Sequence, residues 1–231
     1  MAPTTNRKPN LKRTCLILLA VIAWLAVLLQ IALAVRIVTA AGQSPITGVI
    51  NTLSYFTILT NLIVAIVSTA AALHSPTSNA PDSFLSRTST LSAVAVYIFI
   101  VGLTYSLLLR SIWDPTGLSL VLDVALHDIT PILYVLFWFF FVPKGTLRWS
   151  DPVYWLIYPV LYVLYCLIRG AITGLYPYYF VDVTLLGYPK ALLNTALLLV
   201  GFWIVALIVV AIDRFVGRSR LNRTASRHAS V

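Results

Sequence analysis

Six long apolar runs, each near the length that crosses a lipid bilayer, constrain this chain more than any other feature. The runs cover residues 15–35, 47–73, 91–109, 118–142, 153–173 and 191–212. A helix needs about 20 apolar residues to cross the hydrocarbon core, and only helices and closed barrels satisfy their backbone hydrogen bonds there. The sequence therefore predicts an all-α membrane protein with six transmembrane helices in one bundle.

The composition agrees with this prediction. Of the 231 residues, 60% are hydrophobic and only 10% are charged, too few charges to build the surface of a soluble globular protein. We expect a basic tail over residues 1–13, a membrane domain over residues 14–212, and a basic, disordered tail over residues 213–231.

The basic residues predict the direction of the spans. Lys and Arg number 16 against 7 acidic residues, and they cluster before the first span, between the fourth and fifth, and after the sixth. With six spans all three clusters fall on one side, which the positive-inside rule makes the cytoplasmic side of a plasma membrane. We therefore expect both termini in the cytoplasm, with the tails drawn to anionic lipid headgroups rather than to nucleic acid.

The aromatic segment 175–188 then lies outside. Tyr and Trp side chains anchor at membrane interfaces, so we expect this segment to form an anchoring belt or a lid over the helix bundle. Its tyrosines are Tyr176, Tyr178, Tyr179 and Tyr188.

Polar residues within spans two and four form the candidate site. Ionisable groups inside a membrane are costly and mark functional sites by default. Asp123 and His127 are one helical turn apart on the fourth span, so they share a face. Counted from the proposed outer surface at about 1.5 Å per residue, Thr57 of the second span lies at the same level as His127. These depths predict a polar pocket between spans two and four in the outer half of the membrane.

The residue types in this pocket are suited to nucleophilic chemistry. A hydroxyl needs a base within hydrogen-bond reach, and a carboxylate can fix the tautomer of a histidine base. Thr57, His127 and Asp123 can fill these three roles on a lipid ester, with Thr60 as an alternative nucleophile. Candidate pocket residues that could stabilise an oxyanion are Asn61, Asn194 and Arg169.

Other functions remain open. In a transporter or lipid-binding protein, Asp123, His127 and Arg169 would line a path and change protonation. In a structural protein, Thr57, Thr60 and other polar groups would only hydrogen-bond neighbouring helices. No Cys or His cluster has metal-ligand spacing and no glycine-rich loop suits a phosphate, so we predict neither a metal nor a cofactor.

Several short motifs resemble one known family. They are the segment from Tyr55 to Asn61 in the second span, His127 followed by Pro131 in the fourth, and the segment from Thr173 to Pro177 after the fifth. Over about residues 14–212 the chain resembles the bacterial six-helix relatives of the androgen-induced and androgen-dependent TFPI-regulating membrane proteins. The animal members hydrolyse fatty acid esters of hydroxy fatty acids with a threonine in span two and a histidine in span four. The resemblance implies that Thr57, or Thr60 in its similar Leu-Thr-Asn context, is the threonine and His127 the histidine.

Overall fold

The structure is a computed structural model that describes residues 11–74 and 83–228, with side chains described as far as Ser219. Within these residues all regular structure is helical. The α-helices are α1 (Leu11–Ala40), α2 (Pro45–Leu53), α3 (Phe56–Leu73), α4 (Thr88–Thr104), α5 (Leu118–Val124), α6 (Thr130–Phe141), α7 (Asp151–Trp155), α8 (Ile157–Thr173) and α9 (Val183–His228).

The predicted fold class is confirmed. Six helical segments in the described chain are long and apolar enough to cross a membrane. These spans are Leu11–Ala40, Phe56–Leu73, Thr88–Leu109, Leu118–Phe141, Asp151–Thr173 and Val183–Ser219. Each helix buries one side in the bundle and leaves the other apolar, as a lipid-facing helix requires.

The core lies where the first four spans meet. Helix α1 packs on α3, α3 packs on α4, and α4 packs on α6. Small residues allow the close approach, since Ala23 and Ala65 are fully buried, and Tyr134 is the largest side chain with no exposure. Small residues at helix interfaces are typical of membrane bundles, where van der Waals packing supplies the stability.

The prediction of a disordered tail from residue 213 is wrong for residues 213–228, because α9 continues to His228. Asp213 is fully buried, and its carboxylate accepts the backbone N–H of Leu147 at 3.0 Å. Arg214 donates to the carbonyl of Leu147 at 3.1 Å. These contacts tie the start of the tail to the loop between α6 and α7, and the helix continues from this anchor. Residues 1–10 and 229–231 lie outside the described part.

The second apolar run is broken into two helices. Helix α2 ends at Leu53, and α3 begins at Phe56 after the extended backbone of Tyr55. Two tyrosine hydroxyls of α8 hydrogen-bond polar groups at the break. The Tyr162 hydroxyl accepts from the Phe56 N–H and donates to the Ser54 carbonyl. The Tyr165 hydroxyl hydrogen-bonds the Ser54 hydroxyl. The break places residues 56–58 at the start of a helix, near one end of the bundle.

The fourth span is widened where Pro131 interrupts its hydrogen bonds. Proline has no N–H to give to the carbonyl one turn earlier, and residues Ala125–Ile129 form a π-turn, a local widening that is frequent at functional sites. Thr130 closes this turn by donating to the Ala125 carbonyl at 2.8 Å. A side chain at Gly102 of α4 would meet the His127 carbonyl at 3.1 Å, so glycine lets the third span approach the turn closely.

Candidate functional site

The site lies at the end of the bundle that is opposite the loop anchored by Asp213. It is assembled from the start of α3, the π-turn of the fourth span, the end of the third span, and the loop after α8. The third span also ends in a π-turn, Tyr105–Leu109.

Thr57 and His127 are brought together across two spans. The Thr57 Oγ1 lies 3.3 Å from the His127 Nε2, within reach for proton transfer once a substrate tightens the site. Thr57 is the second residue of α3, so the positive end of the helix dipole lies at its hydroxyl. This position favours the negative charge that forms when a threonine hydroxyl attacks.

Asp123 holds the other nitrogen of the imidazole. The His127 Nδ1 lies 3.1 Å from the Asp123 Oδ1 and 3.0 Å from the Asp123 carbonyl oxygen. Both partners are acceptors, so Nδ1 carries the proton and Nε2 presents its lone pair to Thr57. The Asp123 and His127 side chains are 6% and 14% exposed, so the pair is largely withdrawn from solvent. Thr57, His127 and Asp123 thus have the relative placement of a nucleophile, a base and an orienting carboxylate.

A cavity of about 460 Å³ opens at these three residues, within the range of small-molecule sites, roughly 300–1,000 Å³. Its remaining lining residues come from α1, from both halves of the second run, from the third and fourth spans, and from the loops at this end. They include Gln30, Leu33, Ile37, Thr52, Tyr55, Ile112, Trp113, Ser119, Tyr178 and Tyr179. A narrower crevice of about 70 Å³ shares Thr57 and runs between the third, fifth and sixth spans.

Thr60 is placed differently from Thr57. It has no exposure, and its hydroxyl bonds the Tyr158 hydroxyl of α8 at 3.0 Å. It lines neither the cavity nor the crevice around Thr57. The hydroxyl at position 60 therefore joins two helices, and position 57 holds the hydroxyl that faces the histidine.

The three predicted oxyanion residues do not line either space at Thr57. Asn61 is fully buried and gives its amide hydrogens to the carbonyls of Thr57, at 2.9 Å, and Leu126, at 3.2 Å. Asn194 donates to the Phe180 carbonyl at 2.9 Å. Arg169 is held by Asn51 at 2.8 Å and by the carbonyl of residue 175 at 2.6 Å. Depth alone suggested these residues, but the rotation of each helix turns them away from the cavity.

Tyr105 also belongs to the site, although it was not predicted from the sequence. Tyr105 donates to the Asp123 Oδ2 at 2.5 Å and stacks on the His127 ring. Tyr105 lies one turn before the end of the third span, which puts it at the level of Asp123. This position is the signal in the sequence that could have identified it. Asp128, the next residue after His127, pairs with Arg110 of the third span at 2.5 Å.

Tyr178 comes from the aromatic segment expected to form a belt or lid. Its hydroxyl accepts the Thr57 N–H at 3.4 Å. Burial raises the pKa of Tyr178 to about 12, so its hydroxyl stays protonated at neutral pH and can donate to an oxygen at Thr57. Residues 177–179 line the cavity, so this part of the segment covers the site.

The chain matches no family model, no curated protein and no solved structure.

Proposed function

We propose that this protein is a membrane-embedded hydrolase of fatty acyl esters that works without a cofactor. One observation carries the proposal: the Thr57 Oγ1 faces the His127 Nε2 at 3.3 Å, while the Asp123 carboxylate holds the His127 Nδ1 at 3.1 Å. A threonine with a base on its hydroxyl and a carboxylate behind the base has the arrangement that makes a weak nucleophile reactive.

The reaction follows from these positions. His127 Nε2 takes the Thr57 proton as Oγ1 bonds to the acyl carbon, and the resulting imidazolium is stabilised by Asp123. When the ester C–O bond breaks, His127 returns the proton to the leaving alcohol. Water then attacks the acyl-threonine and gives its proton to His127, which hands that proton to Thr57 as the fatty acid leaves. The Tyr178 hydroxyl donates to the oxyanion in both steps, and the positive end of the α3 dipole stabilises its charge.

A lipid substrate is supported by the surroundings of Thr57. The cavity is built largely from apolar side chains and lies within the span region, and the crevice on the other side of Thr57 is lined by Ile100, Val101, Leu198, Leu199 and Phe202 among others. Apolar linings of this kind suit an acyl chain. The threonine in span two and the histidine in span four are also the residues that carry the resemblance to the androgen-induced and androgen-dependent TFPI-regulating proteins, and we propose this chain as a distant relative.

The test is covalent labelling by a lipophilic fluorophosphonate, which bonds to an activated hydroxyl with loss of fluoride. We expect the full-length protein in detergent to label and Thr57→Ala to lose labelling, together with hydrolysis of fatty acyl esters. Thr60→Ala is the matched control, since it removes a hydroxyl one turn away on the same helix, and it should keep labelling. Retained labelling in both variants would exclude threonine catalysis, and loss only in Thr60→Ala would reverse the assignment.

Lipid binding without chemistry is the second candidate, and the cavity of about 460 Å³ is the observation that favours it. A transport path through Asp123, His127 and Arg169 is less consistent with the structure, because Arg169 lies outside this cavity and bonds Asn51. A protein that retains a fatty acyl ester through purification, yet neither labels nor hydrolyses it, would be such a binder.

The orientation is part of the proposal: both termini in the cytoplasm of a plasma membrane, and the site on the outer side. The basic residues at the Asp213 end support it, including Arg148 and Arg214. A cysteine introduced at Ser219 should be protected from a membrane-impermeant maleimide in intact cells and should react after permeabilisation. Labelling of this cysteine in intact cells would show that the termini lie outside.

A further inference from the structure

Tyr105 contacts both members of the Asp123–His127 pair from a different span. Its hydroxyl donates to the Asp123 Oδ2 at 2.5 Å, and its ring stacks on the His127 imidazole with centroids 3.8 Å apart and planes 13° apart. Tyr105 is itself buried, with 4% exposure. Each contact restrains a different degree of freedom, the rotation of the carboxylate in one case and the plane of the ring in the other.

A third contact of the tyrosine is with Arg110. The Arg110 guanidinium carbon lies 4.9 Å from the Tyr105 ring centroid, and the same guanidinium bonds Asp128 of the fourth span. Arg110 therefore links the ring of Tyr105 to the span that carries Asp123 and His127. The Tyr105 ring therefore contacts both a cation and an imidazole.

Such restraint is needed because Asp123 and His127 come from the same helix. The His127 Nδ1 has two acceptors of nearly equal distance in residue 123, the carbonyl oxygen at 3.0 Å and the carboxylate Oδ1 at 3.1 Å. Without a partner on its Oδ2, the carboxylate could turn away while the histidine kept its bond to the carbonyl. The Tyr105 hydroxyl occupies Oδ2 and thereby keeps Oδ1 directed at the imidazole.

We propose that Tyr105 is a positioning residue that holds the Asp123–His127 pair aligned on Thr57, with Arg110 restraining the tyrosine ring. The expected effect on the labelling rate rests on the proposed hydrolase function. The expected effect on the tautomer of His127 does not. Tyr105 does not touch the reacting atoms in this scheme. It acts through the carboxylate and the imidazole.

The experiment compares two substitutions that separate the two contacts. Tyr105→Phe keeps the stacked ring and removes the hydroxyl, whereas Tyr105→Leu removes both. Tyr97→Phe is the matched control, because Tyr97 also lies on the third span and donates to a carbonyl, that of Trp155 at 2.7 Å, and lines neither space at Thr57. All variants are full-length chains in detergent.

Two quantities are measured for the wild type and for each variant. The first is the rate of labelling by the lipophilic fluorophosphonate. The second is the set of imidazole ¹⁵N chemical shifts in ¹⁵N-histidine-labelled protein, which distinguish a protonated from an unprotonated ring nitrogen. The chain has 3 histidines, and the His127 signals are assigned by their loss in His127→Gln.

We expect the wild type to show a single His127 tautomer with its proton on Nδ1. Tyr105→Phe should slow labelling about tenfold, the scale of one hydrogen bond to a charged group, and Tyr105→Leu about a hundredfold, the scale of misplacement by an ångström. Both should shift the His127 signals toward a mixture of states, and Tyr97→Phe should match the wild type in both readouts.

Wild-type ¹⁵N shifts and labelling rates in Tyr105→Phe would overturn the proposal, even if Tyr105→Leu failed to fold. Absence of labelling in the wild type is a different result, since it would refute the hydrolase function alone. In that case the ¹⁵N shifts still decide whether Tyr105 sets the state of His127.

Discussion

Two buried carboxylates lie at opposite ends of this bundle, and they differ in what surrounds them. Asp123 is bonded to a histidine and a tyrosine and lines a cavity of about 460 Å³. Asp213 accepts a backbone N–H from Leu147 and lines neither space at Thr57. Its second oxygen is buried with no hydrogen-bond partner among the described residues. The comparison shows that burial of an acid in a membrane helix does not by itself identify a reactive site.

The difference lies in partners and space. A carboxylate can assist chemistry when it contacts a group that changes protonation and when a substrate has room beside it. A carboxylate that contacts only backbone can hold a loop. We therefore expect changes at Asp123 to affect rate more than stability, and changes at Asp213 to do the reverse.

The largest expected effect is on rate at Asp123. Asp123→Asn should slow fluorophosphonate labelling of Thr57 by about 10³- to 10⁴-fold, because the amide no longer stabilises the imidazolium and can favour the wrong tautomer. Asp213→Asn is the paired variant, and its folded fraction should label at the wild-type rate. Equal losses of labelling rate in the two variants would contradict a special role of Asp123 in the chemistry.

The next effect is on stability at Asp213. Asp213→Ala leaves the buried Leu147 N–H without its acceptor, which should cost about 1–3 kcal/mol. Thermal unfolding in detergent, followed by the accessibility of Cys166 to a thiol reagent, measures the loss. Asp123→Asn should unfold closer to the wild-type temperature, since water in the cavity can satisfy its polar atoms.

A similar loss is expected where the last span meets the loop that Asp213 holds. A Cβ at Gly217 would clash with the backbone of Gly145. Gly217→Ala should therefore destabilise the fold by about 1–3 kcal/mol through overpacking. Gly201→Ala on the same helix is the control: a Cβ there meets nothing within 4 Å, and alanine should stabilise the helix slightly. Equal melting temperatures for the two variants would contradict the close contact.

A smaller effect separates the two hydroxyls of α3. Thr60→Ala removes the bond to Tyr158 and should lower stability by about 0.6–2 kcal/mol without slowing labelling. A slower labelling rate in the folded Thr60→Ala protein would mean that this hydroxyl also takes part in the site.

The smallest effect concerns pH at the segment that covers the cavity. Burial raises the pKa of Tyr178 to about 12, above the roughly 10 of a tyrosine in an unfolded chain, so the folded state keeps this proton after the unfolded chain has lost it. The stabilisation from Tyr178 is thus complete below pH 10 and is lost as pH rises toward 12. The melting temperatures of the wild type and Tyr178→Phe should converge over that interval. A constant difference between them would show that Tyr178 is not held in its protonated form.

The sequence by itself determined the membrane class, the six spans and the residues of the polar cluster at Thr57, His127 and Asp123. The reason is physical: apolar length sets the number of crossings, residues one turn apart share a helix face, and depth from the surface is nearly a linear function of position along a span. These quantities are local, and they can be counted along the chain.

Tertiary structure alone decided which polar residues at one depth face the same cavity. Asn61, Asn194 and Arg169 have suitable chemistry and depth, yet each is turned to a backbone carbonyl or to another side chain. Rotation of a helix about its axis depends on packing against its neighbours, and here it also depends on the break before Phe56 and the π-turn before Pro131. The same packing brings Tyr105 from a third span onto the Asp123–His127 pair, a contact that no spacing within one helix encodes.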